Sequence, residues 1–265
     1  MSQSRDSIAN VLLIAVSVCL VCSILVSAAA VALKPAQQAN EELNRKKNVL
    51  VAAGLLEEGR TVDAEGRGIE EIFADFDQRV VDLRTGEYVD DLDPASYDQL
   101  RAARDPAISR ELTAEEDIAT LKRLEQYGIV YLKRDARGEV ETAGIPIRGY
   151  GLWGTLYGFL ALEGDFETVA GIGFYQHKET PGLGGEVENP NWTALWPGKV
   201  VYADGEPAIE LTKSVAPVGD AARDHQIDSI SGATMTSRGV ENLVNFWVGD
   251  LGYGPYLRSM RGGSA

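Results

Sequence analysis

Cysteine is nearly missing from this sequence. Cys19 and Cys22 are the only two, and both fall inside one uncharged N-terminal run. The rest of the chain therefore has no thiolate nucleophile, no disulfide and no cysteine-ligated iron–sulfur cluster of its own. Histidine is equally scarce. His177 and His225 stand without companions at metal-ligand spacing, which argues against a metal centre built from this chain alone. Positive charge is short as well: 25 Lys and Arg face 40 Asp and Glu, a formal net charge of −15. That balance disfavours nucleic acid or an anionic membrane surface as the main partner. There is no internal repeat.

Charge of either sign is absent from Val11 to Leu33. As a helix this run extends about 34 Å, enough to cross the hydrocarbon core of a bilayer. A cleaved secretory signal is the alternative, but the apolar part is long and only Arg5 makes its leading segment basic. The sequence divides into a short tail (1–10), a transmembrane helix (11–33), a juxtamembrane helical connection (34–62) and one domain (63–265). Lys34, Arg45, Lys46 and Lys47 follow the span and only Arg5 precedes it. Counted plainly, these charges place the large domain in the cytoplasm.

Beyond the span, apolar spacing predicts a helix over Ala39–Leu56 and a helix-to-strand transition over Phe73–Leu83, with a turn at Thr85-Gly86. Asp90–Arg110 carries little periodic signal. Leu112–Tyr127 reads as a short amphipathic helix with acidic residues after Thr113. Gly128–Lys133, a turn at Asp135–Gly138 and the segment from Val140 read as a hairpin. Leu152–Leu162 lacks strict alternation and reads as helical. Thr168–Tyr175 and Ala208–Lys213 read as strands, and Thr236–Val248 as a terminal amphipathic helix. Helices and hairpins without repeated strand–helix–strand units make this an α+β domain with an antiparallel or mixed sheet.

Three segments bear on chemistry. Gly149-Tyr-Gly151-Leu-Trp-Gly154 matches the short dinucleotide-binding glycine pattern, but no convincing first strand precedes it. It reads instead as a tight turn feeding an aromatic-rich helix. His177-Lys-Glu179-Thr180-Pro181-Gly-Leu183-Gly184-Gly185 follows a strand. Its proline directs the chain, its glycines permit close approach to a planar ligand, and Glu179 and Thr180 set polar groups beside apolar Leu183. By composition alone it is also an ordinary structured loop. Asp228-Ser-Ile-Ser231-Gly232-Ala233-Thr234-Met-Thr236 enters the last helix, where Thr234 or Thr236 suits an N-cap. Exposed amides at that helix start also suit a phosphate on Thr234, with Gly232 and Ala233 leaving room around it. Ser231 lacks the Gly-x-Ser-x-Gly surroundings of a hydrolase nucleophile.

Lys47–Gly54, Gly149–Gly158, Glu179–Gly184 and Asp228–Thr234 with the following Met-Thr-Ser occur here in one order. Through these blocks the chain resembles the C subunit, the covalent-FMN-binding one, of the sodium-translocating NADH:quinone oxidoreductase family. The attachment block is also similar to that of the flavin-bearing G subunit of a related ion-translocating electron-transport complex. The chain's length and the combined glycine blocks favour the first. The resemblance implies FMN esterified to Thr234 by a flavin transferase, with flavin contacts from Glu179, Thr180, Leu183 and Lys213. Asp228, Ser231, Gly232 and Ala233 then belong to the attachment signature. It further implies a bacterial inner-membrane protein with its flavin domain on the periplasmic side, against the basic-residue count. Its partners would be a second covalent-FMN subunit and membrane subunits bearing metal centres. No residue need act as a catalytic acid or base, because the chemistry is electron transfer through the cofactor. A nonenzymatic membrane-tethered adaptor or ligand-binding protein is the remaining alternative.

Overall fold

A computed structural model describes residues 8–56 and 59–263, without the side chains of residues 38, 41, 42 and 45. Helix α1 (Ile8–Ala52) comes first. Then follow α2 (Ile69–Phe73), β1 (Phe76–Asp82), α3 (Gln99–Ala102), β2 (Ser109–Glu111), β3 (Arg123–Glu125), β4 (Tyr127–Arg134), β5 (Val140–Tyr150), β6 (Thr155–Glu163) and β7 (Val169–Gln176). The chain ends with α4 (Pro190–Thr193), β8 (Tyr202–Ala203), β9 (Glu206–Pro207), β10 (Glu210–Thr212), β11 (Gln226–Asp228), α5 (Thr234–Val248) and α6 (Gly254–Arg261). The described residues divide into two compact units, one up to Asn44 and one from residue 45 onward.

In the first unit the helical run from Val11 to Leu33 carries no charge and faces outward: Leu12, Ile14, Val18, Leu25 and Val31 are all exposed. Among the described residues, Ile8–Gln37 is the one stretch long and apolar enough to cross a membrane. A helix with no polar stripe has nothing to present to water, so its solvent is lipid or another protein.

The second unit is built on a five-stranded antiparallel sheet in the order β1-β4-β5-β6-β7. Residue parity divides its side chains between two cores. On β6, Leu156, Leu160 and Leu162 join the core that α5 covers with Val240, Leu243, Val244 and Trp247. Phe159 and Ala161, on the opposite face, pack with Val49, Leu50, Ile72, Phe73 and Tyr131. Each fully buried Leu or Val removes enough apolar surface from water to contribute about 1.5–3 kcal/mol.

Burial on both faces explains one departure from expectation. Leu152–Leu162 is not helical: it is the end of a hairpin turn followed by β6. A strand covered on both sides needs no polar alternation, so its apolar run imitates a buried helix. The glycine-rich Gly149–Gly154 stretch likewise feeds a strand and not a helix. Tyr150 pairs with Thr155, and the Gly151 N–H donates to the Gly154 carbonyl at 2.9 Å.

Leu112–Tyr127 departs too. The signal for a helix start is genuine: Glu116 Oε2 accepts the Thr113 N–H at 2.9 Å, and Thr113 Oγ1 accepts the Glu116 N–H at 3.4 Å. One residue later the Asp117 carboxylate accepts the N–H groups of Leu121 (2.6 Å) and Lys122 (2.8 Å). Those hydrogen bonds compete with helix propagation. Thr120 and Lys122 take φ of 56° and 68°, and the chain turns into β3, which pairs antiparallel with β2. Ala119 is buried and its carbonyl accepts the Tyr150 N–H at 2.9 Å, which secures the hairpin's end.

A buried ion pair lies on the same hairpin arm. Arg148 donates through both Nη atoms to Glu125, at 2.7 Å and 2.5 Å, and Gln99 Nε2 donates to Glu125 Oε1 at 2.7 Å. Burial disfavours the guanidinium charge, but the Glu125 carboxylate holds the Arg148 pKa above its ordinary value. The guanidinium also lies 4.9 Å from the Trp247 ring, tying β5 to the end of α5.

Candidate functional site

The predicted attachment segment, Asp228–Thr236, enters α5 through a loop held by Ser237. Its Oγ accepts the Ile230 N–H at 3.0 Å and donates to the Ala233 carbonyl at 3.1 Å. Ala233 is the residue at the helix cap, and no side chain caps the terminus. Neither Thr234 nor Thr236 serves as the N-cap. Thr234 is the first helical residue and exposed, whereas Thr236, two positions on, points inward and is 1% exposed. Helix geometry separates them: residues two apart lie on different faces.

Thr236 meets the second predicted segment. Its Oγ1 donates to Glu179 Oε2 at 2.6 Å. The other oxygen, Glu179 Oε1, accepts the N–H groups of Leu152 (3.0 Å) and Trp153 (2.9 Å) at the hairpin end. Glu179 is 5% exposed, and both its oxygens are occupied by donors from the protein. One carboxylate thus joins the loop after β7, the β5–β6 turn and the first turn of α5.

Glycine permits this closeness at three points, one of them Gly151, where a Cβ would lie 2.6 Å from Glu179 Oε1. A Cβ on Gly184 would lie 2.5 Å from Thr236 Oγ1 and 2.6 Å from Glu179 Oε2. A Cβ on Gly239 would lie 2.5 Å from the Tyr150 carbonyl oxygen, so α5 rests directly on the hairpin backbone. Around the join, apolar side chains face outward: Trp153 is 62% exposed, Met235 52%, Leu183 45% and Leu152 41%. Leu183 Cδ2 approaches to 3.1 Å of where a Cβ would stand on Gly232 (φ 75°), so the two predicted loops touch. Thr180 is exposed, and its carbonyl accepts the N–H groups of Leu183 (3.1 Å) and Gly185 (2.9 Å), shaping the loop. His177 holds the loop's start by accepting the Glu179 N–H on Nδ1 at 3.1 Å.

Lys213 reaches the same region through backbone pairing. Parallel strands β10 and β11 align Thr212 with Asp228, and the Ser229 N–H donates to the Thr212 carbonyl at 2.8 Å. Lys213 is the next residue, and it shares a pocket of about 160 Å³ with Ser229, Thr234, Ser237 and Arg238. Asp228 is exposed and its carbonyl accepts Trp192 Nε1–H at 2.9 Å; Ser231 is exposed. A larger cavity of about 390 Å³, at Leu83, Leu124 and Leu251, contains none of the predicted site residues.

Sequence reasoning read Thr236 only as a possible helix cap, and it gave no individual role to Ser237, to Arg238 or to the amides of Leu152 and Trp153. Arg238 had a signal, since it lies four residues after Thr234 on a predicted helix and so shares its face. The others had none, because contacts between residues 152, 179 and 236 exist only once the sheet is assembled.

The arrangement offers an exposed hydroxyl, two adjacent cations, an uncapped helix start and an apolar shelf. Those are the requirements of a phosphate-bearing planar aromatic cofactor.

Comparison with known proteins agrees with this chemistry. The FMN-binding domain family matches residues 151–249, which contain the hairpin end, the Glu179 loop and α5. The chain is 49% identical to the Na(+)-translocating NADH-quinone reductase C subunit of Pseudomonas aeruginosa over 264 residues, covering 99% of each. It is 44% identical to the Vibrio vulnificus protein of the same name over 262 residues, covering 98% of each. The crystal structure of Shewanella oneidensis NqrC superposes with a TM-score of 0.72 at 34% identity, covering 84% of this chain and 97% of that one. The corresponding protein from Parabacteroides distasonis, 23% identical, shares the fold with a TM-score of 0.63.

Proposed function

The chain belongs to the NqrC family of Na(+)-translocating NADH-quinone reductases, and from that premise we propose that its FMN is joined through phosphate to Thr234 Oγ1. The chain is an electron-transfer subunit of a sodium-pumping NADH:quinone oxidoreductase complex, not a catalyst acting alone. The observation that carries the attachment reading is the exposed Thr234 hydroxyl at an uncapped helix start, in one pocket with Lys213 and Arg238. Bound FMN supplies reversible electron transfer, and the protein supplies distance, orientation and surroundings. Leu183, with Leu152 and Trp153, forms the surface on which the isoalloxazine rests, and Thr180 borders it. Glu179 acts from beneath by holding that surface in place. Asp228, Ser231, Gly232 and Ala233 present the threonine to a flavin transferase during maturation.

Within the complex, we assign the electron donor to a membrane subunit bearing a metal centre and the acceptor to a second covalent-FMN subunit. The single N-terminal helix anchors the chain in the inner membrane, with the flavin domain on the periplasmic side. No acid or base is required of any residue for electron transfer between carriers.

Intact-mass analysis of denatured protein tests the attachment. Chain coexpressed with a flavin transferase is expected to carry the added mass of FMN on the peptide containing Thr234. Thr234→Ala, which deletes the hydroxyl, is expected to carry none. Retention of the adduct in that variant overturns the assignment.

A further inference from the structure

Lys213 and Arg238 line one pocket with Thr234, and neither is paired with a carboxylate. Among the described residues, neither takes part in an ion pair or a side-chain hydrogen bond, while nine other arginines each meet an Asp or Glu. Arg84, Arg101 and Arg104 also lack an ion pair among the described residues; what separates Lys213 and Arg238 is that both line the one small pocket that Thr234 lines too. Arg238 has a natural partner in Glu241, three residues on along α5 and lining the same pocket. That carboxylate is engaged elsewhere: its Oε2 accepts the Leu211 N–H at 2.8 Å. Arg238 itself is exposed and lies one helical turn beyond Thr234, on the same helix face.

We propose that Arg238 is a phosphate-recognition residue of this chain, pairing with the flavin phosphate at Thr234. The inference rests on the reading that Thr234 carries FMN and adds a residue to which neither the attachment motif nor the flavin-contact loop points. A guanidinium suits this task because its planar fork donates two parallel hydrogen bonds to phosphate oxygens. Lys213 meets the phosphate from the end of β10 as a point charge, one residue past the strand, and Arg238 meets it from α5, so the two fix its position from two sides.

The test compares FMN with riboflavin, which carries the same ring system and no phosphate. Full-length chain produced without a flavin transferase, in detergent, is titrated with each by calorimetry or flavin fluorescence. Arg238→Gln is expected to weaken FMN binding about tenfold, the scale of one charge-assisted hydrogen bond, and to leave riboflavin binding unchanged. Arg238→Lys is expected to fall between the two. Arg104→Gln, an exposed arginine outside this pocket, is expected to change neither. Equal losses for FMN and riboflavin, or no loss for either, overturn the proposal. So does failure of the unmodified chain to prefer FMN over riboflavin. As a second readout, the 31P resonance of the flavinylated chain is expected to shift in Arg238→Gln and not in Arg104→Gln. These results are independent of whether Thr234→Ala loses its adduct, so failure of the attachment reading is recognised separately.

Discussion

Thr236 and Glu179, 57 positions apart in sequence, share a buried hydrogen bond of 2.6 Å. The threonine two positions after the proposed attachment residue is thus structural, and the acidic residue of the neighbouring loop is its acceptor. A buried carboxylate with three donors cannot lose its charge centre cheaply, because the two backbone amides would then be left without a partner.

Glu179→Ala is therefore expected to destabilise the domain by about 3 kcal/mol, and Thr236→Val by about 1–2 kcal/mol. Urea unfolding in detergent measures both. The double variant is expected to show a coupling energy above about 0.5 kcal/mol. Additive losses would mean that the two side chains do not interact.

Gly239→Ala tests the contact between α5 and the hairpin. Alanine favours a helix over glycine by about 1 kcal/mol, yet here its Cβ would stand 2.5 Å from the Tyr150 carbonyl oxygen. Overpacking of this kind costs about 1–3 kcal/mol. The expected sum is a net loss of stability together with a changed flavin absorption envelope. A stabilised variant with an unaltered spectrum would show that the helix does not rest on this carbonyl.

Acid titration addresses the aborted helix at Thr113–Lys122. The hydrogen bond from Arg110 pulls the Glu116 carboxyl down from 4.5 to about 2, assisted by the Thr113 amide. Its folded pKa lies below its unfolded one, so its contribution is present above pH 4.5 and lost as pH falls towards 2. Carboxyl NMR is expected to show Glu116 ionised at pH 3.5, and Arg110→Gln is expected to move its midpoint back up. A wild-type midpoint at the ordinary glutamate value contradicts the pairing.

Membrane orientation is open to direct test. Protease added to sealed right-side-out vesicles is expected to digest the flavin domain without permeabilisation. Complete protection until the vesicles are opened would place the domain in the cytoplasm, as the basic-residue count around Val11–Leu33 suggests.

Much was decided by the sequence alone, and wherever that happened the determining interactions are local. The uncharged run at Val11–Leu33, the α+β class, the strands at 128–133 and 168–175 and the helix ending at Val248 all follow from spacing within a dozen residues. The four ordered motif blocks carried the family, because their residue types and order are themselves the signal. Only the tertiary structure decided what depends on distant partners. Leu152–Leu162 is a strand because α5 covers one face and the end of α1 with α2 the other. Leu112–Tyr127 is not a helix because Asp117 intercepts two amides and the chain pairs with β2. Glu179 is a buried brace and Arg238 an unpaired cation for the same reason. Burial and pairing are properties of what surrounds a side chain, and those surroundings come from segments between 26 and 57 residues away in the case of Glu179.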